Sequence, residues 1–207
     1  MLVSTGFINM ITNNKYILAS SSLSRKAILK NCGFKFIQVK PQCDEEAIKK
    51  KIKKKSKPAD VARILSFQKA KSISENEKYL NHKVIGCDTL IYIDDKIFDK
   101  AKNRKEALLK IKKLSGRKHK IVSSLTICNK GLKLWECSEI TVVEFRKLTA
   151  KQIEGYLNNS GKEILNSVGC YQIEALGPQI IKNIKGDFFN VMGFPLFKFL
   201  RYVYEDQ

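Results

Sequence analysis

Residues 17–33, ILASSSLSRKAILKNCG, decide the fold. Ile17-Leu18-Ala19 reads as a short buried strand, Ser20-Ser21-Ser22 as a loop, and Ser24 to Asn31 as a helix that Gly33 stops. The alternation continues outward from there. Phe36 to Val39 is a second strand ahead of Pro41, and Asp44 and Glu45 open a lysine-rich helix. Pro58 sits in the first turn of the next helix, where Val61, Ala62, Ile64, Leu65 and Lys69 follow helical spacing, with an end near Asn76. Val84 to Cys87 reads as a compact strand ending at Asp88, and Leu90 to Ile93 pairs through Asp94-Asp95 with Lys96 to Phe98 as a hairpin. Arg104 to Lys113 is a helix with Ala107, Leu108 and Ile111 inward. Strands at about Lys120 to Cys128 and Leu132 to Phe145 meet at Asn129-Lys130-Gly131. Thr149 and Gln152 form a capping box for a helix through Leu157, and a strand is expected at about Gln179 to Ile184. Pro195 starts a last amphipathic helix carrying Leu196, Phe199, Leu200 and Val203. Strands that alternate with helices yet also form hairpins give a mixed α/β fold, not a purely parallel sheet.

The chain has 207 residues, 43% hydrophobic and 29% charged, so it can bury a sizeable core and does not have the composition of a disordered chain. We expect one domain over residues 16–207, with two lobes about a cleft, preceded by an N-terminal extension over 1–15; translation from Met1 or from Met10 fits equally. The leader lacks a basic n-region and a small-residue cleavage site, and no stretch approaches membrane-spanning length, which points to a cytoplasmic protein. Six cysteines without a CxxC pair, and only two histidines, support neither a zinc cage nor a redox motif; small buried thiols in a reducing compartment are the expectation.

A net charge of +19 fits a nucleic-acid binder and equally a cleft that attracts small polyanions. Most of the excess is lysine, densest at Lys49 to Lys57, where a solvated face is the plainer reading. No RNP-type aromatic strand, zinc finger or helix-turn-helix signal accompanies it, so specific nucleic-acid binding is not expected.

The serine loop is an anion-site candidate, because free backbone N–H groups and the helix dipole both face it and Arg25 follows closely. A serine run after a strand is also an ordinary capping cluster. Asp88 after an apolar strand suits an acid held over a cleft, and equally a turn or cap.

Together these blocks resemble the Maf family of nucleotide pyrophosphatases: Ile17 to Arg25, Asp44-Glu45, Gln68-Lys69-Ala70, Ile85 to Thr89, Lys100, Leu114 to His119, Gly169-Cys170-Tyr171, and Gly186-Asp187 through Gly193-Phe194-Pro195. They stand in the family's order across nearly the whole chain. The resemblance implies an elongated α/β fold with a mixed sheet and flanking helices around a central cleft. It also implies a homodimer, and hydrolysis of a nucleoside triphosphate to the monophosphate and pyrophosphate with a divalent cation, Mg²⁺, Mn²⁺ or Co²⁺. By the same matching, Asp88 is implied as proton acceptor, Ser20, Arg25, Lys69 and Lys100 as the phosphate clamp, Glu45 with Asp88 as metal-holding carboxylates, and Ser24, Thr89 and Glu174 as positions that tune the base. A carboxylate is a weak base at neutral pH, so Asp88 would act on a water acidified by the metal, or orient it. His119 reads better as a pin for the turn before it than as a proton shuttle.

Family members often carry Pro-Arg-Arg at Leu23-Ser24-Arg25, Lys-Pro at Lys100-Ala101 and Gln-Gly at Glu174-Ala175. A glutamine both donates and accepts, as a thymine or uracil edge requires, whereas a carboxylate only accepts. Glu174 therefore suits the N1–H and N2–H₂ edge of a guanine-type base, pointing to 7-methylguanosine triphosphate; a preference for dTTP and UTP is the alternative. The family's older name, an inhibitor of septum formation, implies a cell-division role, but no partner motif is legible in the chain.

Overall fold

The computed structural model describes residues 15–52 and 56–205; the expected N-terminal extension, the two candidate start methionines and part of the Lys49 to Lys57 run lie outside them. In chain order the elements are β1 (Tyr16–Ala19), α1 (Leu23–Asn31), β2 (Phe36–Val39), α2 (Glu45–Lys51), α3 (Pro58–Ser74), β3 (Lys83–Ile93), β4 (Lys96–Phe98), α4 (Arg104–Leu114), β5 (Lys118–Asn129), β6 (Leu132–Phe145), α5 (Ala150–Asn159), β7 (Ile181–Lys185), α6 (Phe188–Val191) and α7 (Leu196–Tyr204), with short 3₁₀ turns at Glu77–Tyr79, Glu163–Asn166 and Gly177–Gln179. Among the described residues no helix is long and apolar enough to cross a membrane.

The strands form one mixed sheet in the order β2-β1-β3-β5-β6-β7, with β4 also on β3. β2, β1 and the start of β3 run parallel, and β3 through β7 run antiparallel, so the expected mixed α/β architecture with flanking helices is what the chain adopts. β3 joins the two halves. Its pairing with β1 stops at Gly86, its pairing with β5 continues from Val84 to Tyr92, and β4 pairs with it only from Ile91. Cys87 to Leu90 thus face a gap in the sheet between the end of β1 and the start of β4.

This corrects the expectation for Asp88. The apolar run does not stop there: β3 is a single strand of 11 residues and Asp88 lies in its middle, opposite Ser124. Long pairing with β5 carries the strand past the polar residue. What ends beside Asp88 is β1.

The two-residue period assigns the faces. Tyr16, Leu18, Ile85, Cys87, Leu125 and Ile127 pack with Phe34 and with Phe199 and Val203 of α7 on one side. Ile17, Ala19 and Val84 pack against Ala70 and Ile73 of α3 on the other, and Leu90 joins Leu65 there. Fully burying each such Leu or Ile stabilises the fold by ~1.5–3 kcal/mol. α3 approaches so closely that a Cβ on Gly86 would lie 2.1 Å from the Ser66 carbonyl oxygen and 2.5 Å from the Ala70 nitrogen. Glycine is what lets the helix seat on the strand. Of the α3 positions expected inward, Val61, Ala62, Leu65 and Lys69 are buried, but Ile64 is 39% exposed because it points off the contact stripe. The last strand starts at Ile181, after a 3₁₀ turn that takes up the Pro178 neighbourhood, and α3 ends at Ser74.

Candidate active site

Both readings of the serine run are realised, by different serines. Ser22 is the cap of α1 and accepts from the Arg25 N–H at 3.3 Å, while Ser20, just past β1 and 4% exposed, accepts from the Arg25 side chain. Arg25 stands in the first turn of α1. Its guanidinium spreads over four acceptors: Nη1 donates to Ser20 Oγ at 3.1 Å and to the Cys87 carbonyl at 2.8 Å, Nη2 to Thr89 Oγ1 at 2.9 Å, and Nε to the Gly193 carbonyl at 2.8 Å. None of these is a carboxylate, so the fixed fork is oriented without being neutralised by a bonded acid.

Alternation along β3 sends Asp88 and Thr89 to opposite faces. Thr89 meets Arg25, Ser123 Oγ at 2.9 Å and the Gly193 carbonyl. Asp88 meets α3: Lys69 Nζ donates to Asp88 Oδ1 at 2.6 Å and lies 3.0 Å from Oε2 of Glu45, the first residue of α2. Both members of the Lys69–Asp88 pair are buried, with side chains 9% and 8% exposed; Glu45 is half-exposed. Burial pulls the Lys69 pKa down, and Arg25 adds to that, yet Asp88 and Glu45 outweigh both and hold it above the ordinary lysine value. Asp88 Oδ2 is buried and has no hydrogen-bond partner.

Lys100 follows β4 and is exposed as a residue. Its ammonium nonetheless has a lowered pKa, first through desolvation by the protein around it, then through Arg25 and Lys69, with Glu45 and Asp88 opposing. Lys100 thus feels the charges of the Asp88–Lys69 cluster while its flexible stem is exposed.

A second grouping involves the base-tuning positions. Ser24 Oγ donates to Glu174 Oε1 at 2.6 Å across 150 positions of sequence. Thr89 is not bonded to that pair but lies one guanidinium away, on Arg25.

Several contributors have no signal as functional residues in the sequence. Gly193, part of a family block but given no site role there, offers its carbonyl to Arg25 Nε, to Thr89 Oγ1 and, at 3.1 Å, to the Cys87 thiol. Its φ is +94°, and a Cβ there would stand 3.0 Å from Thr89 Oγ1, so both backbone and space call for glycine. Gln38 Nε2 donates to the Ser20 carbonyl at 2.8 Å, and Ser123 bridges Thr89 to the Asn190 carbonyl. Burial raises the pKa of the Cys87 thiol, which keeps it as S–H beside the Gly193 carbonyl. His119 pins a different segment from the one expected: its Nε2 lies 2.7 Å from Tyr171 Oη.

Among the described residues no group of three or more His, Cys, Asp or Glu converges on one point. Asp88 and Glu45, joined through Lys69, supply two carboxylates, one of them with an unpartnered buried oxygen. Two hard oxygen donors, with remaining positions left to phosphate oxygens and water, match how Mg²⁺-type cations are held beside nucleotides.

The chain is similar to known proteins over almost all of this frame. The family model described as Maf-like protein matches residues 15–205. A protein of Brucella suis biovar 1 (strain 1330) named 7-methyl-GTP pyrophosphatase is 37% identical over 187 residues, 90% of this chain and 93% of that protein. One of Bartonella quintana (strain Toulouse) with the same name is 36% identical, covering 89% and 91%. A nucleoside triphosphate pyrophosphatase of Bradyrhizobium diazoefficiens is 31% identical, covering 92% and 93%. A match that runs from β1 to α7 takes in the serine loop, Asp88 with its lysine and the Gly193 turn alike, and the chain belongs to the Maf family.

Proposed function

We propose that this chain hydrolyses the α–β phosphoanhydride of a nucleoside triphosphate, releasing the monophosphate and pyrophosphate. The observation that carries the reading is the buried Lys69–Asp88 pair and the Arg25 guanidinium on the neighbouring Cys87 carbonyl, both at one gap in the sheet, with Lys100 feeling the charges of that cluster. A triphosphate brings charge that such a cluster takes up, and the reaction moves that charge onto the leaving pyrophosphate.

In this mechanism water attacks the α-phosphorus in line with the bridging oxygen, the new P–O bond forms, and the bond to pyrophosphate breaks. Lys69 fixes one oxygen of Asp88, which leaves Oδ2 to orient the water and accept its proton. Arg25 presents its fixed positive charge and one remaining Nη2–H beside Ser20, and Lys100 adds a further positive charge for the leaving group. Asp88 and Glu45 are the residues that would hold a divalent cation. When bound, such an ion neutralises phosphoryl charge and acidifies water.

The base preference we propose is guanine-type, with 7-methyl-GTP as the candidate. Ser24 occupies one side of the Glu174 carboxylate, fixing an acceptor that suits the N1–H and N2–H₂ edge. Methylation at N7 places positive charge on the ring, which a carboxylate attracts and an amide does not. Relatives at 36–37% identity bearing that name support the choice. We carry the reading to a cytoplasmic homodimer: all six cysteines are free thiols, as in a reducing compartment, and sedimentation equilibrium that returned only monomer would remove the oligomer.

A pyrophosphate-release panel over ordinary and modified triphosphates with Mg²⁺, Mn²⁺ or Co²⁺ tests the proposal. We expect cleavage to monophosphate and pyrophosphate, faster for 7-methyl-GTP than for dTTP or UTP. Asp88→Asn should lower kcat by ~10²-fold or more while remaining folded. Failure of every triphosphate, or near-normal turnover in Asp88→Asn, overturns it.

A further inference from the structure

The proposed mechanism leaves one buried polar cluster unused. His119, the second residue of β5, is 1% exposed; its Nε2 lies 2.7 Å from Tyr171 Oη and its Nδ1 has no partner. The two rings and Phe145, at the end of β6, form a closed triangle of edge contacts: 5.1 Å from His119 to Phe145, 5.1 Å from Phe145 to Tyr171, and 5.7 Å from Tyr171 to His119.

Tyr171 belongs to an irregular segment that has little regular backbone pairing to hold it. Ser167 Oγ donates to the Tyr171 carbonyl at 2.6 Å, Cys170 takes a left-handed φ of +56°, and a Cβ on Gly169 would strike the Tyr171 ring at 2.3 Å. Three residues on, the same segment presents Glu174, exposed at a turn that closes when the Gly177 N–H donates to the Gln172 carbonyl at 2.9 Å. Tyr171 and Ile173 are the buried anchors of that turn. Glu174 meets Ser24, so the distance between the two depends on how the segment is tied to the sheet. Among the described residues the Tyr171 hydroxyl bonds to β5, the strand whose Ser123, four residues along on the same face, bonds Thr89.

We propose that His119 and Tyr171 are positioning residues for base selection: the pair bolts the Glu174 turn to β5 and thereby sets where the carboxylate stands relative to Ser24, without touching substrate. The inference rests on the base-reading role proposed for Glu174. Neither residue participates in bond making or breaking, so its signature is selectivity and not turnover.

The test uses the full chain. Tyr171→Phe keeps the ring triangle and deletes one hydroxyl. We expect the ratio of kcat/KM between 7-methyl-GTP and UTP to fall about tenfold, one decade of differential binding, chiefly through KM, with kcat for the preferred nucleotide within about twofold of wild type. Amide exchange should quicken over residues 167–177 and not over β3. In a Glu174→Ala background the same substitution should leave the ratio unmoved, since the two act through one another. If Tyr171→Phe fails to fold, His119→Leu, which removes the hydrogen-bonding group facing Tyr171 Oη, is read by the same ratio. An unchanged ratio in a folded variant, or an equal loss for every nucleotide, overturns the inference. A wild-type chain that cleaves no triphosphate would instead sink the proposed function.

Discussion

Lys69 Nζ stands 2.6 Å from Asp88 Oδ1, and both side chains are less than one-tenth exposed. The dependence is unequal. Lys69 has a second carboxylate, Glu45, at 3.0 Å, whereas Asp88 has Lys69 as its sole ion-pair partner among the described residues. Deleting the lysine therefore strands a buried acid, while neutralising the acid leaves a lysine still paired.

Lys69→Met should accordingly destabilise the fold more than Asp88→Asn does, by roughly 3 kcal/mol against about 1 kcal/mol. Urea midpoints at pH 7 give both values. Equal losses, or the reverse order, would mean that Asp88 has another source of compensation.

The approach of α3 to β3 sets that pair, and Gly86 permits it. Gly86→Ala drives a Cβ into backbone atoms of Ser66 and Ala70, which have no rotamer to yield. A loss of ~2 kcal/mol or more is expected, with turnover falling because Lys69 rides on the displaced helix. Gly155 is the contrasting case: it lies inside α5 with open space where a Cβ would go. Gly155→Ala should raise stability by about 0.5–1 kcal/mol. Thermal or urea unfolding of the two variants side by side checks the contrast.

Where the structure follows local rules, those rules are legible in the sequence. Phe36–Val39 is a four-residue strand, apolar but for Gln38, that ends two positions before Pro41, and the Thr149–Gln152 box needs only residues three apart; both stand as expected. Asp88 falls in mid-strand instead of at a strand end because β3 continues past it through pairing with β5, some 36 positions downstream, which no local window contains. The Arg25 fork is out of reach for another reason: two of its acceptors are the carbonyls of Cys87 and Gly193, and a carbonyl leaves no mark on side-chain identity. The candidate site residues come to notice through the family's motif order, and geometry then joins Ser24 to Glu174, a contact that helical or strand periodicity has no means of indicating.

His119 gives a pH test with a definite sign. Burial lowers its pKa from 6.5 to about 4, so the unfolded chain binds the extra proton first as the medium is acidified. The cost is absent above pH 6.5, grows as pH falls, and is complete near pH 4, where it reaches roughly 3 kcal/mol by linkage. The urea midpoint should thus decline between pH 6.5 and 4, and the decline should be shallower in His119→Gln. Parallel slopes for the two proteins would show that His119 takes up its proton without unfolding.

Selectivity turns on whether position 174 only accepts. In Glu174→Gln the side chain keeps its length and an oxygen for the Ser24 hydroxyl, so the contact now at 2.6 Å survives in kind. What changes is the outward face: a carboxylate oxygen becomes an amide that can also donate, and the local negative charge disappears. A guanine-type edge, all donors at N1 and N2, then loses an acceptor, and a cationic 7-methylated ring loses its counter-charge. A thymine or uracil edge gains a donor for its carbonyl. The ratio of kcat/KM for 7-methyl-GTP over UTP should fall by ~10-fold or more, in line with the discrimination gained from one polar match that the bound base covers. Steady-state kinetics on the two nucleotides measure it. A ratio that rises in Glu174→Gln would mean that the carboxylate faces some other part of the nucleotide, and the base would have to be read elsewhere along the β3 gap.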